Sequence, residues 1–268
     1  MTATARRGWA AQLSEQRDPP SAWPPPGRLR VDWQLATLVK VIPETPDTVT
    51  LRLRRASNEA FLPGQHFHVE IPAGEAYPAV ETYTVASSPW PQPGVIDLTV
   101  KEIPGGRVSP ILVRKIPVGA VMGIEGPFGY FTWTQGDGGP LALVGAGSGI
   151  VPLMAFIRYA SAKELCVPIR LLCSSKDRLH GVYFDQLSRL AERHSWLEVV
   201  HTFTADPADP AARYHRRVDQ EMLNAVFADI AEFCLAYVCG PFAMVTTTEK
   251  ALQHIGVGAG RLFSENWE

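Results

Sequence analysis

The hydrophobic pattern of this chain changes character once, at the glycine-rich segment 136–139. Before it, short apolar runs rich in β-branched residues follow one another with turn residues between them, which is typical of an antiparallel barrel or sandwich. After it, apolar runs of strand length alternate with segments of helix length, which predicts a parallel, doubly wound sheet. We therefore expect an N-terminal antiparallel β-barrel or sandwich followed by a doubly wound α/β domain.

The predicted elements divide the chain into three parts. Residues 1–31 form a proline-rich N-terminal segment, which we expect to be an extended arm or a disordered tail because prolines donate no hydrogen bonds to a helix or a sheet. Residues 32–136 form the barrel, and residues 137–268 form the α/β domain. Strands are predicted at residues 35–41, 49–53, 66–71, 82–86, 95–100, 121–125, 141–144, 168–173, 197–203 and 235–239, and helices at 151–162, 184–192, 219–225 and 242–254.

Composition and charge exclude several classes of protein. With 46% hydrophobic and 19% charged residues, the 268-residue chain has the composition of a folded protein. A formal net charge of −2 gives no field that would attract nucleic acid or an acidic membrane. The four cysteines form no C-x-x-C pair and His66-x-His68 lacks further ligands, so we expect neither a disulfide framework nor a metal site. The first residues lack the apolar run of a signal peptide, which predicts a cytoplasmic protein.

The clearest local motif is a glycine-rich turn between a predicted strand and a predicted helix. Gly145, Gly147, Ser148 and Gly149 follow the apolar run 141–144, and glycines at such a turn let a phosphate approach the backbone. The free N–H groups and the dipole at the start of the helix favour an anion there. A plain tight turn is the alternative interpretation. The spacing G-x-G-x-G also differs from the G-x-G-x-x-G fingerprint of dinucleotide-binding domains.

The end of the second strand of the α/β domain bears on the choice of nucleotide. An NAD site would have an acidic residue there to bind the ribose, and this strand ends without one. Ser174, Ser175 and Lys176 stand there instead, and their hydroxyl and ammonium groups suit a 2′-phosphate. Arg217 is a candidate second cation. These residues favour NADPH over NADH, and ordinary solvated loop residues are the alternative.

Several short motifs follow one another in a characteristic order along the chain. They are FLPGQH at 61–66, YTVASSP at 83–89, LTVK at 98–101, GGRVS at 105–109, EGPFGYF at 125–131, the glycine turn ending at Pro152, and CGPFAM at 239–244. In this order they resemble the ferredoxin–NADP reductase-like superfamily, over about residues 32–268. The resemblance implies an N-terminal antiparallel Greek-key β-barrel that binds flavin, followed by a doubly wound parallel-sheet α/β domain that binds a pyridine nucleotide, with FAD and either NADPH or NADH as cofactors.

The resemblance implies a role in flavin binding for each barrel residue that matches a motif. The implied contacts are Tyr83 and Thr84 at the reactive edge of the flavin, Val85, Ala86 and Ser87 along the isoalloxazine ring, Val100 and Lys101 beside the adenine-side phosphates, and Gly106, Arg107, Val108 and Ser109 at the pyrophosphate. The last group is expected at a helix N-terminus, where the dipole favours an anion.

In the α/β domain the resemblance implies contacts with the second nucleotide. Cys239, Gly240 and Pro241 would lie near the nicotinamide, and Thr204 would lie near the same nucleotide. Trp267 would stack on the flavin ring until nicotinamide displaces it, and a surface aromatic residue is the alternative. Tyr83, Thr84, Ser87, Cys239 and Glu265 form the implied catalytic set, with Ser87 and Glu265 assisting proton movement.

One barrel residue departs from the family pattern R-x-Y-[ST]. The sequence here is Glu81-Thr82-Tyr83-Thr84, so a carboxylate stands where the family has the arginine that neutralises the flavin phosphate. A reversed charge costs binding free energy unless another cation compensates, and Arg107 and Lys101 are the candidates. Three hypotheses follow: FAD binds with help from Arg107, FAD binds weakly as a dissociable substrate, or the site has lost flavin for another role.

The favoured function is that of an NAD(P)H-dependent flavoprotein oxidoreductase. It would pass a hydride from NAD(P)H to FAD and electrons onward to a separate acceptor, because this sequence contains no cysteine-ligated ferredoxin module. A ferredoxin, an oxygenase or cytochrome P450 system, and a small oxidant are the candidate acceptors. The alternative is a repurposed relative, a non-redox biosynthetic enzyme or a binding protein. A lone Rossmann dehydrogenase would leave the barrel motifs unexplained.

Overall fold

A computed structural model describes residues 32–71 and 79–267 of the chain. The predicted arm, residues 1–31, lies outside the described residues. The chain divides into two compact units between Thr132 and Trp133. The glycine-rich segment 136–139 lies just inside the second unit, where the carbonyl of Gly138 accepts a hydrogen bond from the indole of the fully buried Trp133.

The first unit is an antiparallel sheet of six strands that curls into a barrel. The strands run in the order β4-β3-β6-β1-β2-β5, and a bridge between Val85 and Leu98 brings the two edges of the sheet together. This confirms the predicted β-barrel. Its elements are β1 (Gln34–Thr45), β2 (Thr48–Arg55), β3 (His66–Ile71), β4 (Ala79–Thr84), β5 (Val95–Lys101), α1 (Ser109–Arg114) and β6 (Val121–Phe128).

The barrel interior is filled by aliphatic side chains that alternate along the strands. In β2, Val49, Leu51 and Leu53 point inward and are at most 1% exposed, as the period of two residues in a strand requires. β5 is buried on both faces, and its Asp97 forms two hydrogen bonds with the guanidinium of Arg52, at 2.8 and 2.9 Å. The pair satisfies a carboxylate that is only 3% exposed.

The strand predicted at residues 82–86 is β4, which begins and ends earlier. Beyond Thr84 the backbone leaves the ladder with β3: the N–H of Val85 donates to Gln65 and the N–H of Ala86 donates to Asp97 of β5. The prediction was wrong at this boundary because apolar character continues through Val85 and Ala86, both of which are fully buried at the crossing.

The second unit is a five-stranded sheet in which every pair of neighbouring strands is parallel, in the order β11-β10-β7-β8-β9. This confirms the predicted parallel doubly wound domain. Its strands are β7 (Leu141–Ala146), β8 (Ile169–Ser175), β9 (Leu197–Phe203), β10 (Leu235–Pro241) and β11 (Leu262–Trp267), and its helices are α2 (Ile150–Ala162), α3 (Phe184–Arg193), α4 (Gln220–Phe227) and α5 (Phe242–His254).

Three details of the second unit differ from the predicted elements. Pro168 precedes β8, and its carbonyl accepts from Leu141. Asp219 precedes α4 as its N-cap, with a carboxylate oxygen accepting from the N–H of Met222 at 2.9 Å, as short polar residues at that position often do. The segment after residue 261 forms β11, which is not among the predicted strands. Local sequence does not indicate it, because its pairing with β10 depends on residues distant in the chain.

No helix in the described part of the chain is long and apolar enough to cross a membrane. The same residues contain no group of three or more histidine, cysteine, aspartate and glutamate side chains that could hold a metal ion. The rings of His66 and His68 lie 6.0 Å apart, and His68 Nδ1 lies 3.2 Å from Glu125 Oε2.

His201 in β9 makes the stability of the second unit depend on pH. The side chain is 8% exposed against the ring of Phe184, and burial, assisted by the charge of Arg178, lowers its pKa from 6.5 to about 4. As the pH falls from 6.5 to about 4, the unfolded chain takes up a proton that the folded chain refuses, so stability is lost in that window. We expect His201→Gln to reduce the fall in unfolding free energy between pH 7.5 and 5 by about 2 kcal/mol.

Urea unfolding of the two proteins at both pH values measures this difference. His254→Gln, which replaces an exposed histidine at the end of α5, is the matched control for the substitution itself. Equal losses in wild type and His201→Gln would show that His201 does not carry the effect.

Candidate functional site

The second unit brings its predicted site residues to one edge of the parallel sheet. The carboxyl ends of all five strands lie at this edge, and the chain order reverses between β7 and β10, from which β8 and β11 extend in opposite directions. Ligands of open α/β sheets bind at such a reversal. Gly145 and Cys239 are register partners across this junction, so the glycine turn and the end of β10 lie side by side.

The glycines of the turn differ in what they do. A Cβ on Gly145 would lie 3.0 Å from Leu153 Cδ1 and 3.3 Å from the backbone of Ile150, so this glycine permits α2 to pack on β7. Gly147 has a φ of +55°, and a Cβ there would have no heavy atom within 4 Å. Gly147, Ser148 and Gly149 form a short 3₁₀ turn that leads into α2. The turn therefore leaves open space beside the N–H groups at the start of a 13-residue helix.

Cys239 and Glu265 form a pair of ionisable groups at the same edge. They are register partners in β10 and β11, and Cys239 is 3% exposed. Burial raises the pKa of the Cys239 thiol, and the charge of Glu265 raises it further. Burial also raises the pKa of the half-buried Glu265 carboxyl. Both groups therefore hold their protons more tightly than exposed groups do.

Gly240 and Pro241 end β10 beside the glycine turn. A Cβ on Gly240 would lie 2.3 Å from Met244 Cε and 3.3 Å from Ala146 Cβ, so the end of β10 packs closely on the end of β7. Pro241 is exposed and is the register partner of Trp267. The side chain of Trp267 lies outside the part of the chain that the structure describes.

The ends of β8 and β9 carry the residues predicted to select the nucleotide. Ser174 is the register partner of Ala146, so the end of β8 adjoins the glycine turn. Thr204 donates its N–H and its hydroxyl to the carbonyl of Ser175, at 3.0 and 3.3 Å. Lys176 is exposed and forms no ion pair within residues 32–71 and 79–267. The edge between β7 and β9 therefore presents hydroxyl groups and an uncommitted ammonium group.

Two neighbouring arginines beyond β9 differ in their partners. Arg216 forms ion pairs with Asp219 at 2.6 Å and with Glu221 at 2.8 Å. Arg217 is exposed and forms no ion pair with any residue that the structure describes. Of the two, only Arg217 has a guanidinium group available for an added anion.

In the first unit, the predicted flavin residues lie where β4 ends and the chain crosses to β5. Tyr83 is the register partner of Phe67 and packs against the barrel core, and burial raises the pKa of its phenol, with the charge of Glu81 adding to the effect. Thr84 is half-buried. Ser87 Oγ accepts the N–H of Asp97 at 3.1 Å, so its own proton remains available as a donor.

Asp97 and Gln65 hold the segment 85–87 in place, and sequence reasoning missed both. Asp97 accepts from Ala86, and its N–H donates to Ser87, while the carbonyl of Gln65 accepts from Val85. Gln65 lies in the matching FLPGQH motif, which could have drawn attention to it. Asp97 carries no short-range signal, because its contacts with Arg52 and Ser87 join different strands and loops.

Residues 106–109 are the segment expected at the flavin phosphates, and several of their groups already make contacts within the barrel. Ser109 Oγ accepts from the N–H of Ile103 at 2.9 Å, and Val108 is part of the barrel core. Gly106 donates its N–H to the carbonyl of Ile103, and a Cβ there would lie 3.0 Å from that oxygen. Arg107 is exposed and has no ion-pair partner in the described ranges.

Two other charged barrel residues are expected near the flavin phosphates, and only one of them forms an ion pair within the described ranges. Lys101 Nζ lies 3.6 Å from Asp47 Oδ2, while its neighbour Val100 is buried in the core. Glu81 is exposed on β4 and forms no ion pair among the described residues. Of the charged residues expected near the flavin phosphates, Arg107 is therefore a cation and Glu81 a carboxylate without an ion pair in the described ranges.

Comparison with known proteins identifies both units. The family model of the oxidoreductase FAD-binding domain matches residues 35–133, and that of the oxidoreductase NAD-binding domain matches residues 143–250. Together they cover most of both sheets, and β11 lies beyond the second match. The predicted cofactor types, a flavin and a pyridine nucleotide, are confirmed at the level of these families.

Individual relatives agree with the family models. The chain is 30% identical to one component of the 1,2-phenylacetyl-CoA epoxidase of Escherichia coli, over 82% of this chain and 64% of that one. It is 26% identical to the ferredoxin–NAD(P)⁺ reductase component of the naphthalene 1,2-dioxygenase system of Pseudomonas putida, over 85% of this chain and 67% of that one.

A solved structure, the cytochrome P450 reductase of Amycolatopsis, matches with a TM-score of 0.75 and 25% identity over 87% of this chain and 69% of that one. The chain thus spans about two thirds of the length of these relatives. The motif order, the two folds and the two matching domain families lead to one conclusion: this chain belongs to the ferredoxin–NADP reductase-like superfamily of FAD- and NAD(P)-binding oxidoreductases.

Proposed function

We propose that this protein is an NAD(P)H-dependent flavoprotein reductase that passes electrons to a separate acceptor protein. The observation that carries the proposal is the position of Gly147 at the reversal of chain order in the parallel sheet, with Cys239 and Glu265 on the neighbouring strands. This arrangement offers a phosphate site and a proton-holding group at one sheet edge. The relatives are reductase components of oxygenase systems, which supports a separate acceptor.

The two cofactors divide between the two parts of the chain. Residues 32–136 hold FAD and residues 137–268 hold the pyridine nucleotide. When bound, FAD supplies the redox chemistry, since it accepts a hydride and releases electrons singly. The protein contributes binding, orientation and the placement of protons.

The barrel residues position the flavin. Tyr83 packs against the ring with a phenol that burial keeps protonated. The Thr84 hydroxyl and the Ser87 hydroxyl donate hydrogen bonds to the reactive edge, and the backbone of Val85 and Ala86 lines the ring. Because Gln65 and Asp97 fix this segment through three hydrogen bonds, its groups need little reordering when the ring binds.

The α/β residues position the nucleotide. Gly147, Ser148 and Gly149 hold the pyrophosphate on backbone N–H groups, and Thr204 contacts the ribose side. Cys239, Gly240 and Pro241 lie against the nicotinamide, and Glu265 holds the proton that accompanies electron transfer.

The acceptor and the location follow from the same relatives. We propose an oxygenase, a ferredoxin or a cytochrome P450 as acceptor, because the relatives named above serve a dioxygenase, an epoxidase and a P450 system. We also propose a cytoplasmic location, from the likeness to the reductase component of the naphthalene 1,2-dioxygenase system.

The visible spectrum of the purified full chain tests this function. We expect the protein to show the absorption spectrum of a flavin. Added FAD should raise the flavin content to one equivalent per chain, and NADPH should bleach the absorption under anaerobic conditions. A second candidate, a flavin-free binding protein, is supported by the unpaired carboxylate of Glu81. A colourless protein whose fluorescence ignores added FAD would favour that candidate and contradict the reductase.

Lys176 and Arg217 are expected to set the preference for NADPH. Replacing either by alanine removes a cation that is not engaged in an ion pair in the described structure, and we expect the KM for NADPH to rise about tenfold. The KM for NADH should stay within about twofold, because NADH has no 2′-phosphate. Steady-state reduction of ferricyanide with each nucleotide measures both constants.

Arg193→Ala, which removes an exposed arginine from the last turn of α3, is the control for a general loss of positive charge. Equal changes in KM for the two nucleotides in the Lys176 and Arg217 variants would contradict a 2′-phosphate contact.

A further inference from the structure

Asp177 lies two residues beyond the end of β8 and directly follows Lys176, the cation proposed to bind the 2′-phosphate. An acidic residue in this region of a nucleotide-binding sheet accepts hydrogen bonds from the ribose of NAD. Its negative charge would repel a 2′-phosphate. A carboxylate beside Lys176 therefore opposes the binding of NADPH unless another group of the protein holds it.

His180, three residues further along the chain, binds this carboxylate. Oδ1 of Asp177 accepts the backbone N–H of His180 at 2.9 Å and lies 2.8 Å from Nδ1 of its ring. Because a carboxylate only accepts, Nδ1 carries the proton of the second hydrogen bond. Burial alone would raise the pKa of Asp177, but the hydrogen bonds from the ring and the backbone of His180 lower it below its usual value. Asp177 is thus an ionised carboxylate bound within its own loop.

The backbone of the same loop is fixed in a way that leaves Lys176 outside. The carbonyl of Lys176 accepts from the N–H of Ala205 at 2.8 Å, and the carbonyl of Asp177 accepts from the hydroxyl of Ser175 at 3.0 Å. Lys176 is exposed, whereas the side chains of Asp177 and His180 are only 27% and 29% exposed. The loop therefore presents the ammonium group to solvent and retains the carboxylate.

We propose that Asp177 and His180 are a specificity-determining pair for the nucleotide. His180 holds the Asp177 carboxylate against its own loop, so the 2′-phosphate of NADPH meets the ammonium group of Lys176 instead. Without His180, the carboxylate is free to repel a 2′-phosphate and to accept hydrogen bonds from the ribose of NADH. This inference rests on the proposed nucleotide site. His180 is a positioning residue in it, since it acts through Asp177.

Titration calorimetry of the full chain with adenosine 2′,5′-bisphosphate and with adenosine 5′-monophosphate tests the proposal. The two ligands differ only in the 2′-phosphate, and neither takes part in redox chemistry. We expect the wild-type chain to prefer the bisphosphate. In His180→Ala the bisphosphate should bind about fivefold more weakly, as expected for a partly exposed like charge. The monophosphate should bind at least as tightly as it binds to wild type.

Adding Asp177→Asn to His180→Ala separates a charge effect from damage to the loop. The amide oxygen of an asparagine can still accept the backbone N–H of residue 180, but the side chain has no charge. The double variant should therefore bind the bisphosphate within about twofold of wild type. Asp177→Asn alone should bind it at least as tightly as wild type. A loop that had lost its structure would not be restored by a second substitution.

His194→Ala is the matched control. His194 is also half-buried, and its Nε2 lies 2.9 Å from the hydroxyl of Ser161, at the opposite end of α3 from His180. Its removal frees no carboxylate, so both ligands should bind as they do to wild type. Melting curves of all variants establish that they remain folded.

Three results would overturn the proposal. The first is an unchanged ratio of the two affinities in His180→Ala. The second is weaker binding of both ligands in His180→Ala that Asp177→Asn does not restore, because the pair would then only support the loop. The third is a folded wild-type chain that binds both ligands equally or binds neither. The first two leave the reductase function intact, since bleaching of the flavin by NADPH is measured separately, whereas binding of neither ligand would contradict the nucleotide site as well.

Discussion

Gly147→Val is expected to abolish the reduction of the flavin by NADPH while leaving the flavin content of the protein unchanged. At a φ of +55° a β-branched residue is strained, and its side chain would occupy the open space beside the turn. A phosphate approaching the N–H groups of residues 147–149 needs that same space. We expect the Kd for NADPH to rise at least about hundredfold, from loss of the backbone contacts and of the helix dipole.

Stopped-flow bleaching of the flavin, measured across NADPH concentrations, gives this Kd and the rate of hydride transfer separately. Gly138→Val is the matched control, because Gly138 also has a positive φ, of +85°, and open space around it, but lies before β7 and outside the turn. Loss of NADPH binding in both variants would point to damage of the whole unit. Unchanged binding in Gly147→Val would remove the turn from the nucleotide site.

Glu81→Arg should tighten FAD binding by about tenfold. The substitution replaces an exposed carboxylate by a cation on the same strand face as Tyr83, two residues away. Solvent reduces the Coulomb attraction between an exposed arginine and a phosphate. The gain in binding free energy is therefore that of an exposed charge pair rather than of a buried one. Affinity in the variant should also fall more steeply with added salt, since attraction replaces repulsion.

Fluorescence titration of the apoprotein with FAD at two ionic strengths measures both effects. Glu192→Arg makes the same change in net charge on the surface of α3 and should leave the Kd unchanged. Glu81→Gln should give about half the gain in binding free energy, as it removes the repulsion and adds no attraction. If Glu81→Arg binds FAD no better than wild type, position 81 does not face the phosphates, and Arg107 alone neutralises them.

The fold of both units can be predicted from the sequence. The boundaries of β3, β9 and α5 match their predicted ranges because local signals mark both ends: a period of two in the strands, and Pro241 before the helix. β11 could not be predicted in this way. Its polar residues Ser264, Glu265 and Asn266 give it weak strand propensity, and its place in the sheet comes from pairing with β10.

The site was predictable in part. Its glycines and the carboxyl ends of the strands can be located from sequence, since the sheet order brings strand ends to one edge. The sequence does not show which charged residues lack an ion pair and are therefore available to bind a ligand. Arg216 and Arg217 are adjacent in sequence, yet only the first is committed to Asp219 and Glu221. Similarly, nothing in the local sequence distinguishes the buried Arg55 from the exposed Arg54.

In the proposed nucleotide site, the different contacts come from different loops at one edge of the parallel sheet. We propose the turn after β7 for the phosphate contacts, while the ends of β8 and β9 carry the hydroxyl groups and Lys176, and β10 and β11 carry Cys239 and Glu265. Each loop is anchored to its own strand, so a change in one need not move the others. We therefore expect that substitutions in the segments after β8 and β9 can change the cofactor preference while Cys239 and Glu265 stay unchanged.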